Sequence, residues 1–192
     1  MNSNRLEAFS DGVIAIVITI MVLEMKVPEG ADFSAISSIL PNFLTYVLSF
    51  IYVGIYWNNH HHLLHAVNKV NGKILWANLN LLFWLSLFPF VTGWMGENHF
   101  EKIPTSLYGI ILLMAAISFK LLVYLIVKNE GSNSKIAKAY RNDRKTNLSI
   151  ALYVIGAGIT FYQPVLGLIV YLTVALIWII PDRRIEKELD SE

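Results

Sequence analysis

Apolar residues gather along this chain in six blocks, roughly 6–26, 41–65, 74–95, 104–127, 146–162 and 164–180, with polar or turn-forming residues between them. The breaks carry Pro28 and Gly30, Asn71-Gly72, the stretch 96–102, the polar run 128–145, Gln163-Pro164, and Pro181-Asp182. Crossing about 30 Å of hydrocarbon takes about 20 helical residues, which is close to the length of these blocks. Pro41, Pro104 and Pro164 stand near block starts, where a missing amide hydrogen costs a helix little. The pattern predicts an all-α integral membrane protein, one six-transmembrane-helix bundle spanning residues 1–192.

Composition agrees with the pattern. Hydrophobic residues make up 55% and charged residues 15% of the chain, and the mean hydropathy is +0.53, well to the apolar side of an ordinary soluble domain. A cleavable secretion signal would need a basic start and a small-residue cleavage site. Here Asp11 precedes the first apolar run and Glu24 follows it, so the segment is expected to stay as structure. A net charge of +1 says nothing about partners, but its distribution does. With six spans, both termini share a side with the second and fourth loops. That side receives Arg5, Lys69, Lys73, Lys128, Lys135, Lys138, Arg141, Arg144, Lys145, Arg183, Arg184 and Lys187, against Lys26 and Lys102 opposite. The positive-inside rule then predicts a multi-pass protein of the cell (inner) membrane with both termini cytoplasmic.

The basic run 131–145 either sets that topology or also attracts anionic headgroups. The tail 183–192 alternates charge, as a short solvated helix end would. Tyr46, Trp57, Trp76, Trp94, Tyr108 and Trp178 lie near block ends and include candidates for interfacial belts. Lys120, inside the fourth block, is expected to snorkel or to pair. No cysteine is present, which excludes disulfides, thiolate metal sites and cysteine nucleophiles. Nothing resembles a phosphate-binding glycine loop or a nucleophile elbow, so no enzyme is expected and no cofactor.

The first block holds the most informative residues. Its uninterrupted apolar run, Val13 to Leu23, is too short to cross alone, so the helix should take in Arg5 to Gly12 before it and Glu24 to Lys26 after it. An acid at the mouth of a membrane helix is expensive and points to function. At about 100° per residue, Ile16, Ile20 and Leu23 fall on one stripe with Thr19 beside them. Spacing alone allows a plain lipid- or core-facing stripe, with Thr19 bonded to its own i−4 carbonyl. In a symmetric assembly with this helix nearest the axis, the same stripe gives apolar rings that gate by closeness and dewetting, plus a ring of hydroxyls.

The octet Arg5-Leu6-Glu7-Ala8-Phe9-Ser10-Asp11-Gly12, opening a helix that begins Val13-Ile14-Ala15-Ile16, closely resembles the prokaryotic relatives of the lysosomal potassium channel, transmembrane protein 175. Trp57-Asn58-Asn59-His60-His61-His62-Leu63, Trp76-Ala77-Asn78-Leu79 and Pro89-Phe90 extend the resemblance. It implies a potassium-permeable homotetramer whose first helices line a central pore, because animal relatives carry two such repeats per chain and pair. It implies a constriction at Ile16, further pore-lining positions at Ile20 and Leu23, and a role for Thr19 in potassium preference. It also implies that Arg5, Ser10 and Asp11, in the motif with Phe9 and Gly12, join a buried hydrogen-bond network with Trp57, His60, His61 and Asn78. The chain has no Thr-Val-Gly-Tyr-Gly filter, so selectivity by a carbonyl cage is not expected.

Two other readings concern the same residues. A proton-coupled secondary transporter would cycle protons on Asp11 and His60 or His61, but no mid-membrane helix break or internal repeat is evident. His61-x-x-x-His65 has the i, i+4 spacing of a metal pair. A membrane di-iron oxygenase needs several such boxes on one side, whereas His99 lies in an opposite loop; zinc or pH sensing at His62 and His65 remains open.

Overall fold

The computed structural model describes residues 3–67 and 69–179. Among the described residues the chain forms eight helices, α1 Ser3–Leu23, α2 Phe33–His65, α3 Gly72–Ser86, α4 Phe88–Glu97, α5 Lys102–Glu130, α6 Lys135–Tyr140, α7 Arg144–Ile159 and α8 Pro164–Ile179. Four stretches are long and apolar enough to cross a membrane: α1, α2, the α3–α4 pair read as one, and α5. α8 is a shorter apolar helix. This is an all-helical membrane protein. The tail 183–192, read from sequence as a solvated helix end, lies outside the described residues.

The differences from the sequence reading have local causes. α1 ends at Leu23 and does not reach Lys26. Its 21 residues already span about 31 Å, and Lys26 instead pairs with Glu97 at 2.7 Å, which holds the lysine pKa above its usual value. α2 starts eight residues before Pro41, so Pro41 stands inside a helix. The start signal is Asp32, whose carboxylate accepts from the Ala35 amide at 2.9 Å. That bond, and a second from the Ser34 hydroxyl, holds Asp32 below the usual carboxylate range. The third expected helix is two, broken at Leu87. Pro89 has no N–H to give the Leu85 carbonyl, and its ring crowds that carbonyl. The polar run 128–145 is partly helical, because α5 continues to Glu130 and Ser134 caps α6 by accepting from the Ala137 amide at 3.2 Å.

α1 packs on α2, α3 and α4, while α7 packs on α5 and α8. The two groups meet through α2 and α5. On the second side Tyr171 of α8 is clasped between Gly109 of α5 and Gly156 of α7; a Cβ at Gly109 would overlap its hydroxyl. Tyr171 donates to the Thr105 carbonyl at 3.3 Å, and its own carbonyl accepts from Tyr52 at 2.5 Å. Small residues let these helices approach closely, as they do in bilayers generally. Tyr108, a belt candidate from sequence, lies fully buried and hydrogen-bonded to Ser49 at 3.0 Å.

Candidate functional site

The 3.6-residue period gives α1 two distinct faces. Leu6, Ser10, Ile14, Val17 and Met21 are buried against the rest of the chain. Phe9, Gly12, Ile16, Thr19, Ile20 and Leu23 are exposed, Ile16 at 59% and Leu23 at 75%. Among the described residues nothing covers this second stripe, and a Cβ at Gly12 would meet no atom within 4 Å. Thr19 donates to the Ala15 carbonyl at 2.9 Å. Its hydrogen is thus used within the helix while its oxygen stays on the open face.

The buried face is seated on a line of polar groups. Ser10, fully buried, donates to the Leu6 carbonyl at 2.7 Å, so its oxygen is left to accept. It accepts from Asn78 Nδ2 at 2.9 Å. That orientation turns Asn78 Oδ1 toward His60 Nε2, 2.6 Å away. An amide oxygen only accepts, so the His60 proton sits on Nε2. His60 Nδ1 is then a buried lone pair with no hydrogen-bond partner among the described residues. Three helices, α1, α2 and α3, are tied together by this line.

A second line runs nearer the surface. Trp57 Nε1 donates to Asp11 Oδ1 at 3.0 Å, and His61 Nδ1 lies 2.8 Å from Glu7 Oε1. Glu7 and Asp11 are four apart on α1, and Trp57 and His61 are four apart on α2. Matched i, i+4 pairs in opposite order fit the antiparallel packing of two helices. The expectation that Arg5 and Asp11 sit in one buried network with Ser10 is therefore corrected. One residue along a helix is 100° of rotation, so when Ser10 points inward Asp11 turns toward the edge of α2, where it is half-buried. Arg5, 140° from Ser10, is exposed. Glu7 was not singled out from sequence, although its spacing to Asp11 mirrors that of Trp57 to His61.

Asp11 and His60 are thus held by different partners, Trp57 and Asn78. The His61 and His65 rings stack, with centroids 6.1 Å apart and planes tilted by 22°. Among the described residues no group of three or more His, Cys, Asp or Glu side chains could hold a metal ion.

Comparisons with known proteins bear on the same residues. A family model described as endosomal/lysosomal potassium channel TMEM175 matches residues 5–89, from the first-helix motif to the break in the third. A potassium channel of Chryseobacterium sp. (strain P1-3) is 57% identical over 189 residues, 98% of each chain. The endosomal/lysosomal proton channel TMEM175 of Gallus gallus is 32% identical over 124 residues, 55% of this chain and 25% of that protein. The crystal structure of a lysosomal potassium-selective channel TMEM175 homolog from Chamaesiphon minutus matches with a TM-score of 0.81 at 28% identity, covering 94% of this chain and 97% of that one.

Proposed function

The chain belongs to the TMEM175 family of ion channels, which is no enzyme class, and from that premise we propose that it is the subunit of a homotetrameric potassium channel whose pore wall is the open face of α1. Each subunit contributes one domain of six membrane spans: α1, α2, the broken α3–α4 pair, α5, α7 and α8. Both termini face the cytoplasm of a cell membrane, the side that receives the basic loops.

The observation that carries this reading is the uncovered stripe Phe9, Gly12, Ile16, Thr19, Ile20 and Leu23 on a helix whose opposite face is seated on polar partners. Four copies around an axis bury that stripe and stack Ile16, Ile20 and Leu23 as apolar rings, narrow enough to gate by dewetting. Thr19 supplies a ring of oxygens, and this ring gives potassium its preference over sodium. Ser10, Asn78 and His60 hold the helix in place from behind, with Asp11 and Trp57 fixing its edge.

Potassium flux is passive, through a pore that is leaky or weakly gated. The test is the reversal potential of purified protein in a planar bilayer under a potassium-to-sodium gradient. A reversal potential near the potassium equilibrium value is expected, and saturable proton-dependent flux without channel currents would contradict it. Replacing Thr19 by Ala should bring the potassium-to-sodium permeability ratio toward one while leaving yield and assembly unchanged, because the lost hydroxyl bonds only its own helix. An unaltered ratio removes Thr19 from selectivity.

A second reading, proton permeation, is favoured by the name of the chicken relative, a proton channel. The same bilayer under a pH gradient distinguishes it, since proton flux shifts the reversal potential with pH at constant potassium.

A further inference from the structure

Between Lys102 and Lys128, α5 carries one charged residue, Lys120. It is exposed, and its neighbours on the same face, Ile117, Leu121 and Tyr124, are exposed apolar side chains. A bare ammonium on such a face is costly unless it reaches polar partners. Lys120 reaches one: Nζ donates to Asn147 Oδ1 at 2.5 Å. Asn147 lies in the first turn of α7, so the lysine has stretched toward the end of that helix where the basic loop joins it.

The ammonium has three N–H groups, and Asn147 takes one. With its oxygen occupied, the Asn147 amide presents N–H donors. One turn earlier on the same exposed face stands Arg144, whose Nε donates to Asn142 Oδ1 at 3.2 Å and whose guanidinium carries further N–H groups. The acid beside Arg144 is Asp143, whose carboxylate caps α7 by accepting from the Thr146 amide at 3.3 Å, while Glu130, at the end of α5, accepts from the Lys69 amide at 3.3 Å. What the seam between α5 and α7 offers outward is a set of donors carrying two positive charges, bordered by Ile117, Leu121 and Leu148. A phosphodiester is the complement of that set: anionic, rich in acceptors and free of donors. Acyl chains are the complement of its border.

We propose that the α5–α7 seam binds the phosphate of an anionic phospholipid, with Lys120, Asn147 and Arg144 as donors. The proposal rests on the membrane arrangement given above, in which α1 is central. α1 packs on α2, α3 and α4, so the α5–α7 seam falls on the periphery of the assembly, where lipid is the neighbour.

The experiment is native mass spectrometry of the purified protein titrated with dioleoyl phosphatidylglycerol or dioleoyl phosphatidylcholine. Phosphatidylglycerol should bind more tightly, and Lys120→Gln should weaken it about fivefold, the contribution of one near-surface cation. Lys120→Gln keeps a donor for Asn147, and Lys120→Arg keeps the charge and should retain binding. Equal affinity for the two lipids overturns the proposal. So does an unchanged affinity in Lys120→Gln, or full competition by inorganic phosphate at concentrations matching the lipid, which would make the seam a free-anion site. Lipid retention is read without ion flux. A wild-type protein that prefers phosphatidylglycerol yet carries no potassium current therefore supports the seam and counts only against the channel reading.

Discussion

Asn78→Leu should unfold well below the parent protein, by about 1.5–3 kcal/mol, in thermal unfolding of the detergent-solubilised protein. The magnitude is a choice between two effects. Interhelical hydrogen bonds in bilayers average only about 0.6 kcal/mol, because polar groups find substitutes in the unfolded chain. Here the substitution strands the Nε2–H of His60 at a fully buried position, and an unsatisfied buried donor costs about 1–3 kcal/mol. The second effect dominates, since among the described residues the Asn78 oxygen is the acceptor bonded to that atom and leucine offers none. Asn80→Leu is the control: Asn80 is exposed and donates to Ser118 at 2.7 Å, so the same change there should cost much less. Equal shifts in the two variants would mean that Asn78 is no more than an ordinary polar contact, and that α1 is seated by apolar packing alone.

Gly109→Ala should be the more damaging variant, although the change is a single methyl group. The added carbon overlaps the Tyr171 hydroxyl, and the ring carbon behind it lies 2.5 Å away. An exposed side chain would swing aside. Tyr171 cannot, because it is fully buried, donates to Thr105, and has a second glycine, Gly156, packed close against Cε1 of the same ring. Overpacking of this kind costs about 1–3 kcal/mol in a core that can relax, and more where it cannot. Thermal unfolding and the folded yield after extraction measure it. Adding Tyr171→Phe should recover part of the loss, since it deletes the overlapped oxygen but keeps the ring. A Gly109→Ala protein of normal stability would contradict the close approach of α8 to α5.

Much of the architecture can be read from hydropathy, because a lipid-facing or core-facing helix must repeat its apolar residues every three to four positions. The open stripe of α1 is one such repeat, and so is its opposite face. The local breaks were harder. Pro41 reads as a start signal, but Asp32 caps the helix earlier and the proline is absorbed. Pro89 was visible as part of a motif, but not as the end of a helix, because the hydropathy runs unbroken across it. Contacts between helices are harder still. Ser10, His60 and Asn78 are polar residues in apolar blocks, so their need for partners was legible. Which partner each one takes depends on helix rotation and height, so the pairing of Asp11 with Trp57 follows the expected anchor set, while its separation from the Ser10 line and the contact of Glu7 with His61 are not legible. The clasp of Tyr171 by two glycines has no sequence signature, since Gly109 and Gly156 are separated from it by many residues and differ in no local way from the other glycines.

The account turns on the open face of α1 lining the ion path. The protein has no cysteine, so single substitutions can be read without background. Cysteine placed one at a time at Gly12, Ile16, Thr19, Leu23, Ile14 and Val17, and treated with a water-soluble thiol reagent during bilayer recording, tests that claim most directly. The account predicts that modification blocks current at the first four positions, on the open face, and leaves it unchanged at Ile14 and Val17, which are buried against the same subunit. Block at Ile14 and Val17 with none at Ile16 and Thr19, or no block at any of them in a conducting protein, would contradict it.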